Sequence, residues 1–200
     1  MSRHAAHILL AIATAGLAAC TSTSLRDSWA DPSFTGGPFR KVMVVGVASN
    51  PTNRRVFEDI FATKLAAAGV EAVRSYELLP QSGTIPKDDF DAAARRSGAD
   101  GLLVVHVQRV DTKTQITPVS VPVTGVGYYG YYRGWATVPE VTQYDLATVE
   151  TNVFDVKSDR LVWSGVTETF NPTSVGAETP GFADVIIKAL TARGLLPKPK

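Results

Sequence analysis

Residues 41–69 read KVMVVGVASNPTNRRVFEDIFATKLAAAG, and this stretch decides the fold. From Lys41 to Ala48 the chain is a nearly unbroken β-branched apolar run of strand length, with no polar residue at alternate positions. Such a strand is buried on both faces. Asn50 then offers a short side-chain oxygen to the free N–H groups of a helix start, and Pro51 has the fixed φ that suits the first helical turn. Val56, Phe57, Ile60, Phe61 and Leu65 recur on one helical face, and Gly69 supplies the stop. A strand buried on two sides and followed at once by an amphipathic helix is the first unit of an α/β fold.

The unit repeats downstream. VEAVRSYELL at 70–79 contains a short second strand, Pro86 opens a helix through Phe90, Ala93 and Ala94 that Gly98 ends, and DGLLVVHVQRV at 100–110 is a third, apolar strand. Strand, helix, strand, helix, strand implies right-handed parallel crossovers. After residue 142 the pattern changes. TQYDLATVETNVFDV and RLVWSGVTETF are joined by the short turn KSDR, which makes them an antiparallel hairpin. FADVIIKALTARGLL closes the chain as a helix with Val185, Ile186, Ala189 and Leu190 inward. The expectation is one α/β domain over 39–196, a mixed sheet of about five strands (β-α-β-α-β, then an antiparallel β-β hairpin, then α) covered by about three helices.

Upstream, the chain opens MSRHAAHILLAIATAGLAAC, with Arg3 as a positive start and an uncharged apolar run from Ile8 to Leu17. That is the layout of a secretory signal peptide over residues 1–19, and the run is far shorter than the roughly 20 residues a membrane-spanning helix needs. Residues 21–38, TSTSLRDSWADPSFTGGP, are rich in Ser, Thr, Gly and Pro and show neither helical nor strand periodicity. Residues 20–38 are therefore expected to be a linker, with Trp29 and Phe34 packing part of it against the domain.

Without Arg3 the 20 basic residues become 19, equal to the 19 acidic ones. A neutral chain without a Lys/Arg block has no electrostatic footprint for nucleic acid or for anionic lipid. Cys20 is the single cysteine, so no disulfide framework exists, and once His4 and His7 leave with the signal His106 is the last histidine.

The small residues of LAAC run directly into Cys20, which resembles the lipobox of bacterial lipoproteins. The resemblance implies that the Cys20 thiol receives a diacylglycerol, that the chain is cut before it, and that the new amine is acylated. Two or more acyl chains hold a protein stably at a membrane where one does not. Thr21 in the following position implies sorting to the outer membrane of a Gram-negative bacterium, facing the periplasm. GADGLLVVHVQRVD, VETNVFDVKSDRLVWSGVTETF and the opening KVMVVGVASNPTNRRVFEDIFATKLAAAGVEAV also resemble a family of uncharacterised bacterial lipoproteins. Its core is similar to the amino-terminal domain of TolB and to the periplasmic domain of the curli secretion lipoprotein. That resemblance spans residues 38–195 and implies a fold and an address, but no catalytic residues.

The chemical motifs are weak by comparison. GVGYYG at 125–130 matches G-x-G-x-x-G, but YYRGWATVPE follows where the dinucleotide fingerprint needs a helix. His106 lies mid-strand with no other imidazole or thiol to complete a metal site, and no nucleophile elbow accompanies it. Asp88, Asp89 and Asp91 sit at a helix start, where acids complement the dipole. Glu150 shares a strand face with Thr148 and Asn152, a solvated pattern. No cofactor, metal or catalytic group is assigned, and the chain is read as non-enzymatic.

The stretch 114–141, TQITPVSVPVTGVGYYGYYRGWATVPEV, interrupts two strands with more than twenty residues. Long insertions of this kind are commonly functional, and Tyr128, Tyr129, Tyr131, Tyr132 and Trp135 offer large, stiff, amphipathic contact area. The competing reading is a mobile or self-packed loop. The function expected is a periplasm-facing outer-membrane lipoprotein whose aromatic insertion meets an unknown envelope protein. The alternative is an oligomeric secretion or pore component resembling the curli channel, with Val119, Val121 and Val123 alternating along a membrane-inserted hairpin; the oligomeric state stays open.

Overall fold

The computed structural model describes residues 23–80, 85–122 and 135–198. The elements in order are β1 (Thr23–Ala30), β2 (Lys41–Val47), α1 (Pro51–Ala67), β3 (Glu71–Arg74), a 3-10 turn (Ser75–Glu77), α2 (Lys87–Arg96), β4 (Gly101–Pro122), β5 (Trp135–Asp155), β6 (Arg160–Phe170) and α3 (Val175–Ala192). The six strands form one mixed sheet in the order β1-β6-β5-β4-β2-β3. β2 runs parallel to β3 and β4, and every other pairing is antiparallel.

β2 lies inside the sheet and is buried from Val42 to Gly46, as its unbroken apolar run requires. Val42 and Val44 point to one face, where Phe61 and Leu65 of α1 join Phe182, Ile186 and Leu190 of α3 around the fully buried Trp163. Met43 and Val45 point to the other, against Ala93 and Ala94 of α2 and Leu102 of β4. The result is three layers at the parallel end of the sheet, two helices on one side and one on the other.

Local signals account for the helix ends. Asn50 Oδ1 accepts from the amides of Thr52 and Asn53, and Gly69 ends α1 at φ +79°. Ser174 Oγ accepts from the Ala177 amide at the start of α3, seven residues earlier than its apolar period announces. In the β5–β6 turn Asp159 adopts φ 52°. Gly165 is needed for close approach: a Cβ there would stand 2.2 Å from a ring carbon of Trp163.

Two expectations are corrected. Part of the expected linker is strand: Thr23–Ala30 pairs with β6 along its whole length and adds a sixth strand to the five anticipated. The sheet edge offered unpaired donors and acceptors, and Leu25 and Ala30 pack on the core beneath α3. Second, the insertion at 114–141 is strand on both flanks. β4 and β5 continue as a ladder from Val110 opposite Ala147 to Pro122 opposite Trp135 without a break in register. The expected signal segment 1–19, Cys20 and Thr21 lie outside the described residues.

Candidate functional site

β2 ends beside His106 of β4, and β6 ends with Phe170 beside Leu146 of β5. Beyond those points Thr112–Pro122 and Trp135–Asp145 pair, among the described strands, only with each other. At a rise of about 3.4 Å per residue this two-stranded ribbon reaches about 35 Å past the sheet. Its root is fixed by Asn171, which at φ 46° donates its amide to Asp145 O at 2.8 Å and accepts from the Asp145 amide at 2.9 Å through Oδ1. Tyr144 stacks on Phe170 at the same level, with ring centroids 4.8 Å apart.

The ribbon carries apolar pairs on both faces. Ile116 stands opposite Val141, and they are 66% and 61% exposed. Val119 and Val121 stand opposite Val138 and Ala136 on the other face, with Val121 and Val138 exposed. A two-stranded ribbon is marginal in water without a third strand or a packed face, so this arrangement invites a partner. Its edges are blunted, however. Pro118 lies directly opposite Pro139. Two prolines can face each other in an antiparallel ladder only at a pair that exchanges no hydrogen bonds, where the missing donors would have pointed outward.

Of the aromatic candidates, Tyr128, Tyr129, Tyr131 and Tyr132 lie outside the described residues, as does the GVGYYG match. Trp135 opens β5 opposite Pro122.

At the ribbon's root the face of the sheet beneath α1 and α3 opens into a cleft of about 710 Å³. Its floor includes Val105, Val107 and Val110 of β4 with Ala147 and Val149 of β5, and the amino-terminal turns of α1 and α3 form its walls with Phe57 and Phe182. This is the carboxyl end of the parallel strands, where open α/β sheets commonly hold ligands. Most polar groups around the cleft are already committed. Arg54 donates to Glu58 Oε1 at 3.0 Å, to Pro80 O at 2.9 Å and to Ser75 Oγ at 2.6 Å. Glu58 is fully buried and also accepts from Ser75 Oγ at 2.6 Å and from the amides of Gly46 and Tyr76 at 3.0 Å each. This network ties α1 to β2 and to the 3-10 turn. Glu178 Oε1 accepts from the amide and hydroxyl of Thr173, while its buried Oε2 has no partner among the described residues.

The remaining sequence candidates are dispersed. His106 is exposed on β4 opposite Glu150, which accepts from Gln108 Nε2 at 2.9 Å. Asp88 and Asp89 occupy the first turn of α2, and Asp91 pairs with Lys87 at 2.6 Å, so the cluster serves its own helix. Among the described residues no three His, Cys, Asp or Glu side chains converge as a metal site, and no helix is long and apolar enough to cross a membrane.

Sequence reasoning missed the Arg54–Glu58 pair, although its spacing was a signal: residues 54, 58, 61 and 65 share one stripe of α1. The cleft had no such signal, because its walls come from segments more than a hundred residues apart.

No protein family and no curated protein matches the chain. Among solved structures it is similar to the PelC dodecamer from Paraburkholderia phytofirmans, at 17% identity over 90% of this chain and 99% of that one, with a TM-score of 0.44. A variant of the same PelC gives 19% identity over 82% and 96%, again at 0.44. Lipoprotein GNA1162 from Neisseria meningitidis gives 16% identity over 76% and 96%, at 0.39. Similarity at this level carries no argument about function or assembly.

Proposed function

We propose that this chain is a non-catalytic lipoprotein of the bacterial outer membrane, facing the periplasm, whose α/β domain holds a β-ribbon out toward an envelope partner. The observation that carries the reading is the ribbon. About 35 Å of paired strand leaves the sheet with exposed apolar pairs on both faces, and the sequence between its two strands carries four tyrosines. Exposed apolar surface rimmed by polar residues suits protein contact, and tyrosines supply contact area at low entropic cost. Cys20 would hold the domain at the membrane through its acyl chains.

A photo-crosslinking residue at position 129 in the producing cell tests this. The expected result is one discrete adduct with another envelope protein, lost when Tyr128, Tyr131 and Tyr132 are replaced by Ser while the fold is kept. Adducts only with lipid, or none, would sink the reading.

The second reading, an oligomeric secretion or pore component, draws on the same exposed pairs. Self-adducts at position 129 would favour it. The Pro118–Pro139 pair speaks against assembly by joining ribbons edge to edge into a barrel, since each proline lacks a donor such joining would use.

A further inference from the structure

The cleft between the starts of α1 and α3 is apolar where it could be filled. Val107 and Val110 on its floor are 50% and 58% exposed, on a sheet face that elsewhere is sealed by Phe61, Leu65, Ile186 and Leu190. Most of its polar neighbours are committed: the Arg54 guanidinium, the Asn50 carbonyl and the Ser174 hydroxyl each have protein partners, and Glu178, whose Oε1 is bonded to Thr173, keeps one buried oxygen without a partner among the described residues. A volume of about 710 Å³ is in the range of ligand pockets and fits a hydrocarbon chain.

The start of the described chain lies at the rim of this cleft. Thr23 is paired with Thr169, their hydroxyls 2.9 Å apart, and Thr169 lines the cleft. β1 runs antiparallel to β6, so Thr23, the first described residue, lies at the Thr169 end of the pair, the end next in sequence to Pro172–Ser174, which form one wall of the cleft. Cys20 is three residues upstream, at most about 10 Å of extended chain. We infer that one acyl chain carried on Cys20 lies in this cleft, along Val107, Val110 and Val149. The inference rests on the reading of Cys20 as a lipid site. A chain bound there keeps the cleft mouth at the membrane surface and shields apolar residues that are otherwise open to water.

The test uses the full chain made in a Gram-negative bacterium fed a diazirine-bearing palmitate, purified in mild detergent and illuminated. Intact mass first reports whether Cys20 is acylated; an unmodified Cys20 overturns both the anchoring reading and this one. With acylation established, the expected photo-adducts fall on peptides containing Val107, Val110, Val149 or Phe182. Val107→Asn combined with Val110→Asn, both at exposed positions, should reduce them about tenfold, with unchanged circular dichroism and melting temperature. Adducts confined to detergent, scattered over other surfaces, or unaffected by the double variant would overturn the cleft assignment while leaving the anchor intact.

Discussion

Pro118 and Pro139 face each other across the ribbon, so that neither edge of the two strands offers a donor at that level. Unpaired strand edges template association with other chains, and proline is one of the devices that prevents it. Replacing both by Val should leave the domain folded but promote association. Light scattering coupled to size exclusion would show a mass rising with concentration in the variant; an unchanged mass would mean the edges are protected by something else.

Arg54 and Glu58 form a buried ion pair whose polar atoms are shared with Ser75 and three backbone groups. Removing one partner leaves a buried charge, which typically costs about 3–5 kcal/mol, whereas replacing both by apolar residues of similar size costs far less. Urea denaturation of Arg54→Ala should therefore show the larger loss, and Arg54→Met with Glu58→Leu the smaller. Equal losses would show that the network contributes through packing rather than charge.

Gly165 lies under the Trp163 ring at a distance no Cβ can share. Gly165→Ala must displace a fully buried indole, and overpacking of this kind costs about 1–3 kcal/mol. The melting temperature should fall together with the Trp163 near-ultraviolet signal. A variant as stable as the parent would mean that β6 can shift to make room.

Asp31 follows the end of β1 and accepts from the Ser33 hydroxyl and amide, with Arg160 of β6 on its other oxygen. The Ser33 hydrogen bonds, with help from the Arg160 charge, hold its carboxyl below the ordinary value of 3.8. A depressed folded-state pKa contributes stability that is complete above the unfolded value and fades as pH falls through the folded one. Acid titration of stability should thus lose a component below about pH 3.8 that Asp31→Asn lacks. Superimposable acid limbs would show that this clasp does not stabilise the fold.

The parallel half of the sheet was legible because its residues obey strong local rules. KVMVVGV has nowhere to go but the interior, and Asn50, Pro51 and Gly69 mark the ends of α1. β1 was not legible: TSLRDSWA has one neighbour strand and an exposed edge, so only Leu25 and Ala30 are asked to pack. The ribbon was hidden by Pro118, Pro122 and Pro139, which read as strand breakers. They cost little where the ladder has no third member to receive the missing donors. The alternation of Val119 and Val121 with Ser120 and Pro122 was the visible trace of what lies there.

The pairing of β1 with β6 also has a temporal side. Thr23 and Thr169 are separated by 146 residues, yet they meet as neighbours. A chain delivered amino terminus first exposes β1 at the outset and supplies its partner in full only when about four-fifths of the described sequence has appeared. Closing so long a loop comes late and slowly in folding. An enzyme that acts on the leading end before β6 has emerged meets it while β1 is still unpaired, and the last strand to appear completes the sheet at both of its own edges.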